Sequence, residues 1–292
     1  MSKLYQKSLV WLRRDLRLHD NTALYQAHLR SEKVNLCFVF DTQILNALSD
    51  KKDQRVDFLH RILLDIKETL KKLQSDIWIL HGDPKTEIPS LAKSIQADAV
   101  FANRDYEKYG VLRDENIKKS LNLQNISFED YKDQVLFEAN EVLTKTSTPY
   151  SVFSPYRNNH LEKLKLTGAG RLNYKVDTIN FEKFSANKMP LLAEIGFEST
   201  NISNLPIALK QSQIQSQIKD FEGRLNNYDQ TRNYPAIKGV SYLSVHNRFG
   251  TISIREIADL CLNNLNSGSN TWLNELIWRD FYFQIIVNFP HV

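Results

Sequence analysis

Short apolar runs alternate with helix-patterned segments through residues 1–132, and this alternation constrains the fold more than any other feature of the chain. The runs at 8–12 and 34–40 consist mainly of apolar residues, which is typical of parallel strands buried on both faces. Segments 22–29 and 56–73 instead place apolar residues at helical spacing. Strands that alternate with helices form βαβ units, so we expect an N-terminal α/β domain with a doubly wound, Rossmann-like parallel sheet.

The pattern then changes twice along the chain. From residue 133 the alternation stops, and residues 133–205 are predicted to form a long interdomain linker. Residues 206–292 are helical in pattern, with candidate helices at 207–228 and 252–265. The first domain is completed by predicted strands at 77–80, 99–101 and 126–131 and by predicted helices at 85–95 and 111–121. The helix at 252–265 would bury Ile254, Ile257, Ala258 and Cys261.

Composition excludes several classes of protein. The chain has 292 residues with 42% hydrophobic content, which is enough for one large or two ordinary cores and excludes disorder. It has no apolar run long enough to cross a membrane and begins without a signal peptide, so we expect a cytoplasmic protein. Two distant cysteines and scattered histidines show no metal spacing. A net charge of +4 means that any nucleic-acid binding depends on a few placed arginines and lysines.

The chain ends on an apolar segment. Most residues from 276 to 292 are apolar or aromatic, whereas chain ends are usually polar and frayed. We therefore expect residues 206–292 to be the first, incomplete part of a larger helical domain. The alternative is a terminal helix that docks on the first domain or on a second copy of the chain.

The loop after the first predicted strand resembles a known family. On general grounds, Asp20 or Asn21 caps the next helix and the arginines of the loop pair with nearby acids. The whole segment 11–24, however, is similar to the opening motif of the photolyase/cryptochrome family, and most like that of class I-type cyclobutane pyrimidine dimer DNA photolyases. The similarity continues at 40–42, 103–107 and 152–156 and through the helical region. It implies a light-driven flavoenzyme with an antenna domain, a linker and an all-helical FAD-binding domain.

Residues 240–244 resemble the phosphate-binding loop of that family. By themselves, serines in a loop are typical of helix caps. In the family, a Thr-Ser-x-Leu-Ser loop at a helix N-terminus holds the FAD pyrophosphate through hydroxyls and backbone N–H groups. The resemblance also implies that Tyr228 contacts the flavin and that Arg232 contacts a DNA phosphate. The matching loop residues are Val240, Ser241, Tyr242, Leu243 and Ser244, and Val240 lacks the hydroxyl of the usual Thr.

Residues 272–282 contain the densest motif of the chain. Solvated helix faces rarely hold two tryptophans, because each indole has a large apolar area. From spacing alone, a Glu275–Arg279 ion pair one turn apart, with the tryptophans in the core, explains the motif equally well. Helical spacing places five side chains on one face: Trp272, Glu275, Trp278, Arg279 and Tyr282.

The resemblance assigns a role to each residue of this motif. Glu275 is implied to hydrogen-bond a flipped pyrimidine dimer and stabilise its radical anion, and Trp278 to form the flat surface on which the dimer packs. A dimer has lost base aromaticity and stacks poorly, so it flips at reduced cost into such a pocket. The remaining residues are implied to contact the cofactor: Trp272, Asn274, Arg279, which could also meet a phosphate, and Tyr282.

The sequence leaves open whether a second, antenna chromophore is bound and which one it is. Folate-binding members of the family carry an Asn-Glu pair at positions that here are Tyr109 and Gly110, so we do not expect folate through that contact. A deazaflavin, a second flavin or no antenna are all compatible with a cleft at the carboxyl ends of the strands.

The leading functional hypothesis is repair of cyclobutane pyrimidine dimers in DNA by electron transfer from reduced FAD. We expect this chain on its own to hold little FAD and to repair no DNA, and we expect a monomer. The competing hypothesis is a cryptochrome, a blue-light signalling flavoprotein; Glu275 and Trp278 favour repair, because signalling needs no dimer-binding surface. A third possibility, a nucleotide-binding α/β enzyme of other chemistry, predicts no helical flavin domain.

Overall fold

A parallel five-stranded sheet forms the centre of the N-terminal part of the chain in the computed structural model, which describes residues 3–185 and 188–292. Its strands are β1 (Tyr5–Leu12), β2 (Ser31–Asp41), β3 (Ile77–Gly82), β4 (Ala99–Asn103) and β5 (Ser127–Tyr131). Their order is β3-β2-β1-β4-β5, and all four pairings are parallel. The predicted α/β class is therefore confirmed. The strand order reverses between β1 and β4, where α/β proteins form their ligand crevice.

Helices cover both faces of this sheet. Alternate residues of β1 belong to two separate hydrophobic clusters, with Leu9 and Trp11 on one face and Val10 and Leu12 on the other. Such an arrangement buries both faces of a central strand, which explains why the runs at 8–12 and 34–40 are almost continuously apolar. The helices of this part are α1 (Thr22–Arg30), α2 (Thr42–Leu45), α3 (Gln54–Lys72), α4 (Pro84–Ser94) and α5 (Lys108–Asn122).

The predicted linker contains a helix that the sequence pattern did not indicate. Helix α6 (Phe153–Thr167) buries only Tyr156, His160 and Leu164, spaced four residues apart. This stripe is narrow and includes a histidine, so it lacks the apolar recurrence by which a helix is predicted. The predicted linker over 133–205 therefore includes a helix that the sequence analysis did not indicate.

Helices make up most of the C-terminal part. The predicted helix over 207–228 is divided, because the first helix ends at Gly223 and a 3-10 turn follows at Leu225–Asn227. The predicted buried face of the 252–265 helix is confirmed for all four residues. The helices are α7 (Gln211–Glu222), α8 (Tyr228–Thr231), α9 (Ser244–Phe249), α10 (Ile254–Asn263) and α11 (Ser267–Asn288).

A buried network of charges joins the helical part to the sheet. The carboxylate of Asp133 accepts hydrogen bonds from Arg17 Nη2 at 2.6 Å and from Arg255 Nη2 at 2.8 Å, and Arg255 Nε reaches Asp20 Oδ1 at 2.9 Å. Burial by itself raises the pKa of Asp133, but the two guanidiniums outweigh it and lower that pKa to about 2. Removing one partner of such a buried set costs about 3–5 kcal/mol. The network therefore fixes α10, and with it the neighbouring helices, against the α/β domain.

The apolar C-terminal helix α11 is partly covered within the chain. Ile277 and Phe281 are buried, and Phe283 lies edge-on to Tyr106 of the α/β domain with ring centroids 5.2 Å apart. Ile286 and Val287 are exposed. Helix α11 packs mainly on α6, α8 and α10, so the alternative expectation of docking on the first domain is met only in part, by the Phe283–Tyr106 contact.

Candidate functional site

Helix α11 positions the central residues of the candidate site. It is capped by Asn266, whose side chain accepts a hydrogen bond from Ser269 N at 2.9 Å, while Ser269 Oγ accepts one from Asn266 N at 3.0 Å. Its buried residues pack into the core and hold its partly exposed residues in place. Because successive turns of one rigid helix are 5.4 Å apart, side chains at 275, 278 and 282 lie along one line.

The carboxylate of Glu275 pairs with Arg232, at the end of α8. Arg232 Nη1 donates to Glu275 Oε1 at 2.6 Å, and its guanidinium lies 5.2 Å from the ring centroid of the buried Tyr228. The hydrogen bond to Glu275 raises the pKa of Arg232. The alternative interpretation of the motif, a Glu275–Arg279 pair within α11, is therefore wrong. The structure brings together three residues that the resemblance placed at the site: Tyr228, Arg232 and Glu275.

The indole of Trp278 forms an aromatic cluster beside Glu275. Phe153, the first residue of α6, lies face to face with it at a centroid distance of 3.5 Å and an interplanar angle of 8°. Tyr282, one turn further along α11, stacks on the same indole at 5.6 Å and is 58% exposed. The indole therefore stacks with both a linker residue and Tyr282, and its role as the surface for a dimer stays a prediction. Segment 152–156 was part of the family motif, but its contact with Trp278 was not predicted.

Two other residues of the α11 motif point elsewhere. Trp272 is buried in the helical core, edge-on to Phe221 with centroids 4.5 Å apart. Arg279 donates to the main-chain carbonyl of Gln134 and lies over the ring of Phe283 at 4.7 Å. Burial lowers the pKa of Arg279. The predicted single face of five side chains is therefore divided, and Arg279 contacts the interdomain linker.

The loop at 240–244 leads into α9, whose first backbone N–H groups have no side-chain cap. Helix α9 begins without a side-chain cap, because the buried Leu243 occupies the N-cap position. Ser241 Oγ accepts a hydrogen bond from Leu243 N at 3.3 Å, and Tyr242 adopts a left-handed backbone with φ 58°. The helix-cap interpretation of the serines is wrong for α9. Ser244 and Val240 are exposed, and the first turn of α9 has no side-chain cap.

Arg224 supports this loop from below. Its Nη1 donates to the carbonyl oxygens of Lys238 and Val240, at 2.6 and 3.1 Å. Asp220 accepts from Arg224 Nη2 at 2.8 Å and holds the guanidinium in position. Asp220 also pairs with Lys238 at 3.0 Å, so the group beneath the loop contains two cations and one carboxylate.

A cleft opens at the carboxyl ends of β1, β2 and β4. This cleft has a volume of about 740 Å³. The sheet contributes apolar walls from Trp11, Phe38 and Phe40, and α9 contributes Val245 and Phe249. The helix that follows the 240–244 loop is thus also a wall of the cleft.

Ion pairs tie α9 to the other side of the cleft. Glu107 accepts two hydrogen bonds from Arg14, both at 2.8 Å, and one from Arg248 of α9 at 3.2 Å. The hydrogen bonds from Arg14 are the main reason why the pKa of Glu107 is lowered. The cleft is therefore lined by both apolar and basic groups.

Tyr109 and Gly110 shape the mouth of this cleft. Tyr109 Oη donates to Asp41 Oδ2 at 2.7 Å, so the side chain spans from α5 to the end of β2. A Cβ placed on Gly110 would lie 2.5 Å from the carboxylate of Asp105. A side chain at position 110 would therefore displace Asp105.

The described residues provide no alternative metal or membrane site. Within residues 3–185 and 188–292, no group of His, Cys, Asp and Glu side chains is arranged to hold a metal ion. Over the same residues, no helix is long and apolar enough to cross a membrane.

Comparison with known sequences gives one family. The DNA photolyase family model matches residues 8–174. A deoxyribodipyrimidine photo-lyase from one Synechococcus strain is 32% identical over 97% of the chain, and the chain spans 60% of that protein. An uncharacterised 31.6 kDa protein from another Synechococcus strain is 30% identical, and the chain spans 99% of it. The chain thus spans about three-fifths of the photo-lyase and nearly all of the shorter relative.

Solved structures share the same fold. A class III photolyase from Agrobacterium tumefaciens superposes with a TM-score of 0.82 at 23% identity, over all of this chain and 61% of that one. A Synechocystis cryptochrome gives 0.79 at 20% identity, over 99% and 63% of the two chains. A Sulfolobus tokodaii photolyase, solved with two FAD molecules, gives 0.72 at 23% identity, over 98% and 60%. The third sequence-based possibility, which lacked a helical domain, is therefore wrong.

Proposed function

The chain belongs to the DNA photolyase family, and we propose that it serves in the light-driven repair of cyclobutane pyrimidine dimers in DNA, with FAD as cofactor. The observation that carries this proposal is the placement of Glu275 beside Trp278 on the outer side of α11. One acceptor next to one flat apolar wall is what a flipped dimer needs, since it has polar edges and two faces that no longer stack well.

The wall is built to keep its orientation. Phe153 covers a face of Trp278, and Phe281 lies edge-on to both rings at 5.7 and 5.8 Å. Packing from two sides removes the freedom of the indole to rotate, so the surface is ordered before any ligand arrives. Such preorganisation lowers the ordering cost of binding.

The acceptor has a complementary role. A carboxylate accepts hydrogen bonds and donates none, so Glu275 selects a ligand edge that carries N–H groups. Arg232, at hydrogen-bond distance from it, is the nearby cation that we propose meets a DNA phosphate. We therefore propose that Glu275 contacts the bases of the dimer and that Arg232 contacts the DNA backbone.

The 240–244 loop fits the pyrophosphate of FAD in its donor set. The first N–H groups of α9 have no side-chain cap, Ser244 is exposed beside them, and Arg224 lies beneath the loop. We propose that Ser241, Tyr242, Leu243 and Ser244 hold the phosphates. When bound in its reduced form, FAD supplies on illumination the electron that splits the cyclobutane ring. The chain's own residues would bind and orient the two reactants.

The cleft in the α/β domain suits a second, planar chromophore. Its apolar walls accept a ring system, and the basic side chains Arg14 and Arg248 at its rim suit an acidic substituent. Folate-binding members of the family carry a Glu at the position of Gly110. Because Gly110 leaves no room for a side chain beside Asp105, we propose a chromophore other than folate. A flavin or deazaflavin is the class that we propose.

A cryptochrome-type signalling role is the alternative, because a cryptochrome shares this fold. The two functions differ at the outer side of α11: repair needs Glu275 and Trp278 to recognise a lesion, and signalling does not. Our proposal includes a monomeric protein that acts in the cytoplasm.

Binding of lesion-bearing DNA tests the proposal. A short duplex with one thymine dimer and its intact counterpart are titrated with the chain and with Trp278→Ala. We expect the variant to lose roughly 1–3 kcal/mol of binding to the lesion-bearing duplex, the range for one base–aromatic stack, and to bind the intact duplex unchanged.

Trp78→Ala is the matched control, since Trp78 also stacks on a phenylalanine, Phe184, but lies in β3. This control should keep the preference for the lesion. A wild-type chain that binds both duplexes equally, at every salt concentration, would contradict the repair function and leave signalling as the better account.

A further inference from the structure

The ion pair between Arg232 and Glu275 joins the two groups that the proposed function directs to DNA. Both side chains are partly exposed, at 28% and 38%. Neither makes a second ion pair with any residue between 3 and 185 or between 188 and 292. In the absence of DNA, the carboxylate and the guanidinium therefore neutralise each other.

We propose that this pair is a latch that lesion-bearing DNA opens and intact duplex leaves closed. The inference rests on the proposed function, because it takes a pyrimidine dimer as the ligand of Glu275. In the closed state Arg232 is held on Glu275 and is not a phosphate contact. In the open state Glu275 accepts from the dimer, and Arg232 moves to a phosphate of the same DNA.

The hydrogen-bonding chemistry of the groups gives the latch its selectivity. A guanidinium only donates and an ionised carboxylate only accepts, so Glu275 can release Arg232 without loss only if another donor replaces it. A flipped dimer brings the imide N–H groups of its two pyrimidines. In an intact duplex those N–H groups are engaged in base pairs, so Glu275 would be left unpaired near the phosphates. An unpaired carboxylate beside like charges is disfavoured.

The surroundings of the pair support an exchange and not a fixed structural contact. Arg232 lies at the end of α8, with its guanidinium over the ring of Tyr228, so it keeps an aromatic support when it leaves Glu275. Arg279, the other arginine close in sequence to Glu275, is bound to the carbonyl of Gln134 and cannot replace it. Exposed ion pairs of this kind are weakly held, so a ligand can compete for them.

Salt dependence of DNA binding measures the latch directly. Each phosphate contact adds about 0.9 to the slope of log affinity against log salt. Affinities of the chain for the dimer-bearing and the intact duplex are measured from low ionic strength upward, for wild type, Glu275→Gln, Arg232→Gln and the double variant. Arg30→Gln is the matched control: Arg30 pairs with Glu129 at 2.9 Å and lies 5.4 Å from the ring of Tyr5, far from the site.

The latch predicts a different change for each variant. Glu275→Gln frees Arg232, so the slope for intact duplex becomes steeper by about one contact; over a fourfold rise in salt this variant loses about 3.5-fold more affinity than wild type. Arg232→Gln removes one contact from the slope for dimer-bearing duplex and leaves that for intact duplex unchanged. The double variant behaves like Arg232→Gln on intact duplex, and Arg30→Gln like wild type on both.

Two outcomes overturn the latch. One is that Glu275→Gln and wild type show the same salt dependence of affinity for intact duplex. This outcome includes the case in which neither wild type nor Glu275→Gln binds intact duplex at the lowest salt. The other is an equal loss of slope on both duplexes in Arg232→Gln, which would make Arg232 a constant phosphate contact. Failure of the proposed function looks different: wild type then shows no preference for the dimer, while the steeper slope of Glu275→Gln on intact duplex still reports a closed pair.

Discussion

Phe153 lies face to face with Trp278, with ring centroids 3.5 Å apart and ring planes within 8° of parallel. The two residues come from different parts of the chain, since Phe153 begins the linker helix α6 and Trp278 belongs to α11. The contact therefore makes the interdomain linker part of the candidate lesion site. It also explains why an indole at the protein surface keeps a defined orientation.

Replacing Phe153 by Leu should lower both the stability of the protein and its preference for lesion-bearing DNA. The substitution keeps an apolar side chain but removes the aromatic pair, which contributes about 0.5–1.5 kcal/mol. We expect that loss in the free energy of unfolding in urea, together with a reduced preference for dimer-bearing duplex. Phe184→Leu removes the comparable stack on Trp78, 5.1 Å between centroids, and should reduce stability alone. A similar loss of lesion preference in both variants would exclude a specific role for Phe153.

His246 should make the protein less stable in mild acid. This residue of α9 is fully buried, its Nδ1 lies 2.9 Å from Thr251 Oγ1, and burial lowers its pKa to about 4. An unfolded histidine has a pKa of about 6.5, so the unfolded state takes up the proton first as the pH falls. The stabilisation is complete above pH 6.5 or so and is lost between there and about pH 4, by about 3 kcal/mol in total.

Urea unfolding at a series of pH values measures this loss. His246→Asn should flatten the profile over that interval, while His81→Asn, at an exposed position, serves as control. A wild-type profile that stays level from pH 7 to pH 4 would show that His246 takes up no proton on unfolding.

Gly250 should tolerate no side chain. It follows α9 in a left-handed conformation with φ 64°, and a Cβ there would overlap the carbonyl oxygen of Arg14. Gly196 has φ 82° with nothing within 4 Å of such a Cβ. Gly196→Ala should therefore cost about 1–2 kcal/mol for the backbone alone. Gly250→Ala should cost a further 1–3 kcal/mol or so for the overlap, measured by urea unfolding; equal costs would mean that the Arg14 loop moves freely away.

Val240→Thr should tighten FAD binding if the 240–244 loop holds the pyrophosphate. A hydroxyl at this exposed position can donate to a phosphate oxygen, which contributes about 1 kcal/mol, or about fivefold in affinity. Because we expect this chain to hold little FAD, titration with a large excess of FAD, followed by quenching of its fluorescence, measures the change. Ile237→Thr, at another exposed position in the preceding turn, is the control. Equal affinities of the two variants would place the phosphates elsewhere.

Much of the α/β fold follows from local pattern. All five predicted strands are present. The runs at 8–12 and 34–40 are apolar because both strands are buried on both faces, whereas β5 is only partly buried and contains Glu129 and Asp130. The strand order and the reversal between β1 and β4 were not predicted, since the pairing partners of a strand leave no mark in its own sequence. Helix α6 was missed because its buried stripe is narrow and includes His160.

The candidate site was predicted as a set of residues, with the wrong partners. Helical spacing alone allowed Glu275 to pair with Arg279, whereas the structure pairs it with Arg232, 43 residues away. The same spacing placed Trp272 and Arg279 beside Trp278. In the structure, Trp272 packs on Phe221, and Arg279 donates a hydrogen bond to the carbonyl of Gln134. The roles assigned to the cofactor-binding and DNA-binding residues remain predictions.

The sequence by itself determined the periodicities, and with them the α/β and helical parts, the family motifs and the residue types available for chemistry. Only the tertiary structure decided which of those residues meet: Phe153 with Trp278, Arg232 with Glu275, and α9 with both the 240–244 loop and the sheet cleft. The physical reason is that a sequence pattern is local, whereas these contacts join residues far apart in the chain. A helical or strand pattern reports which side of one element is buried, over a few residues, whereas a partner across the fold is set by how whole elements pack.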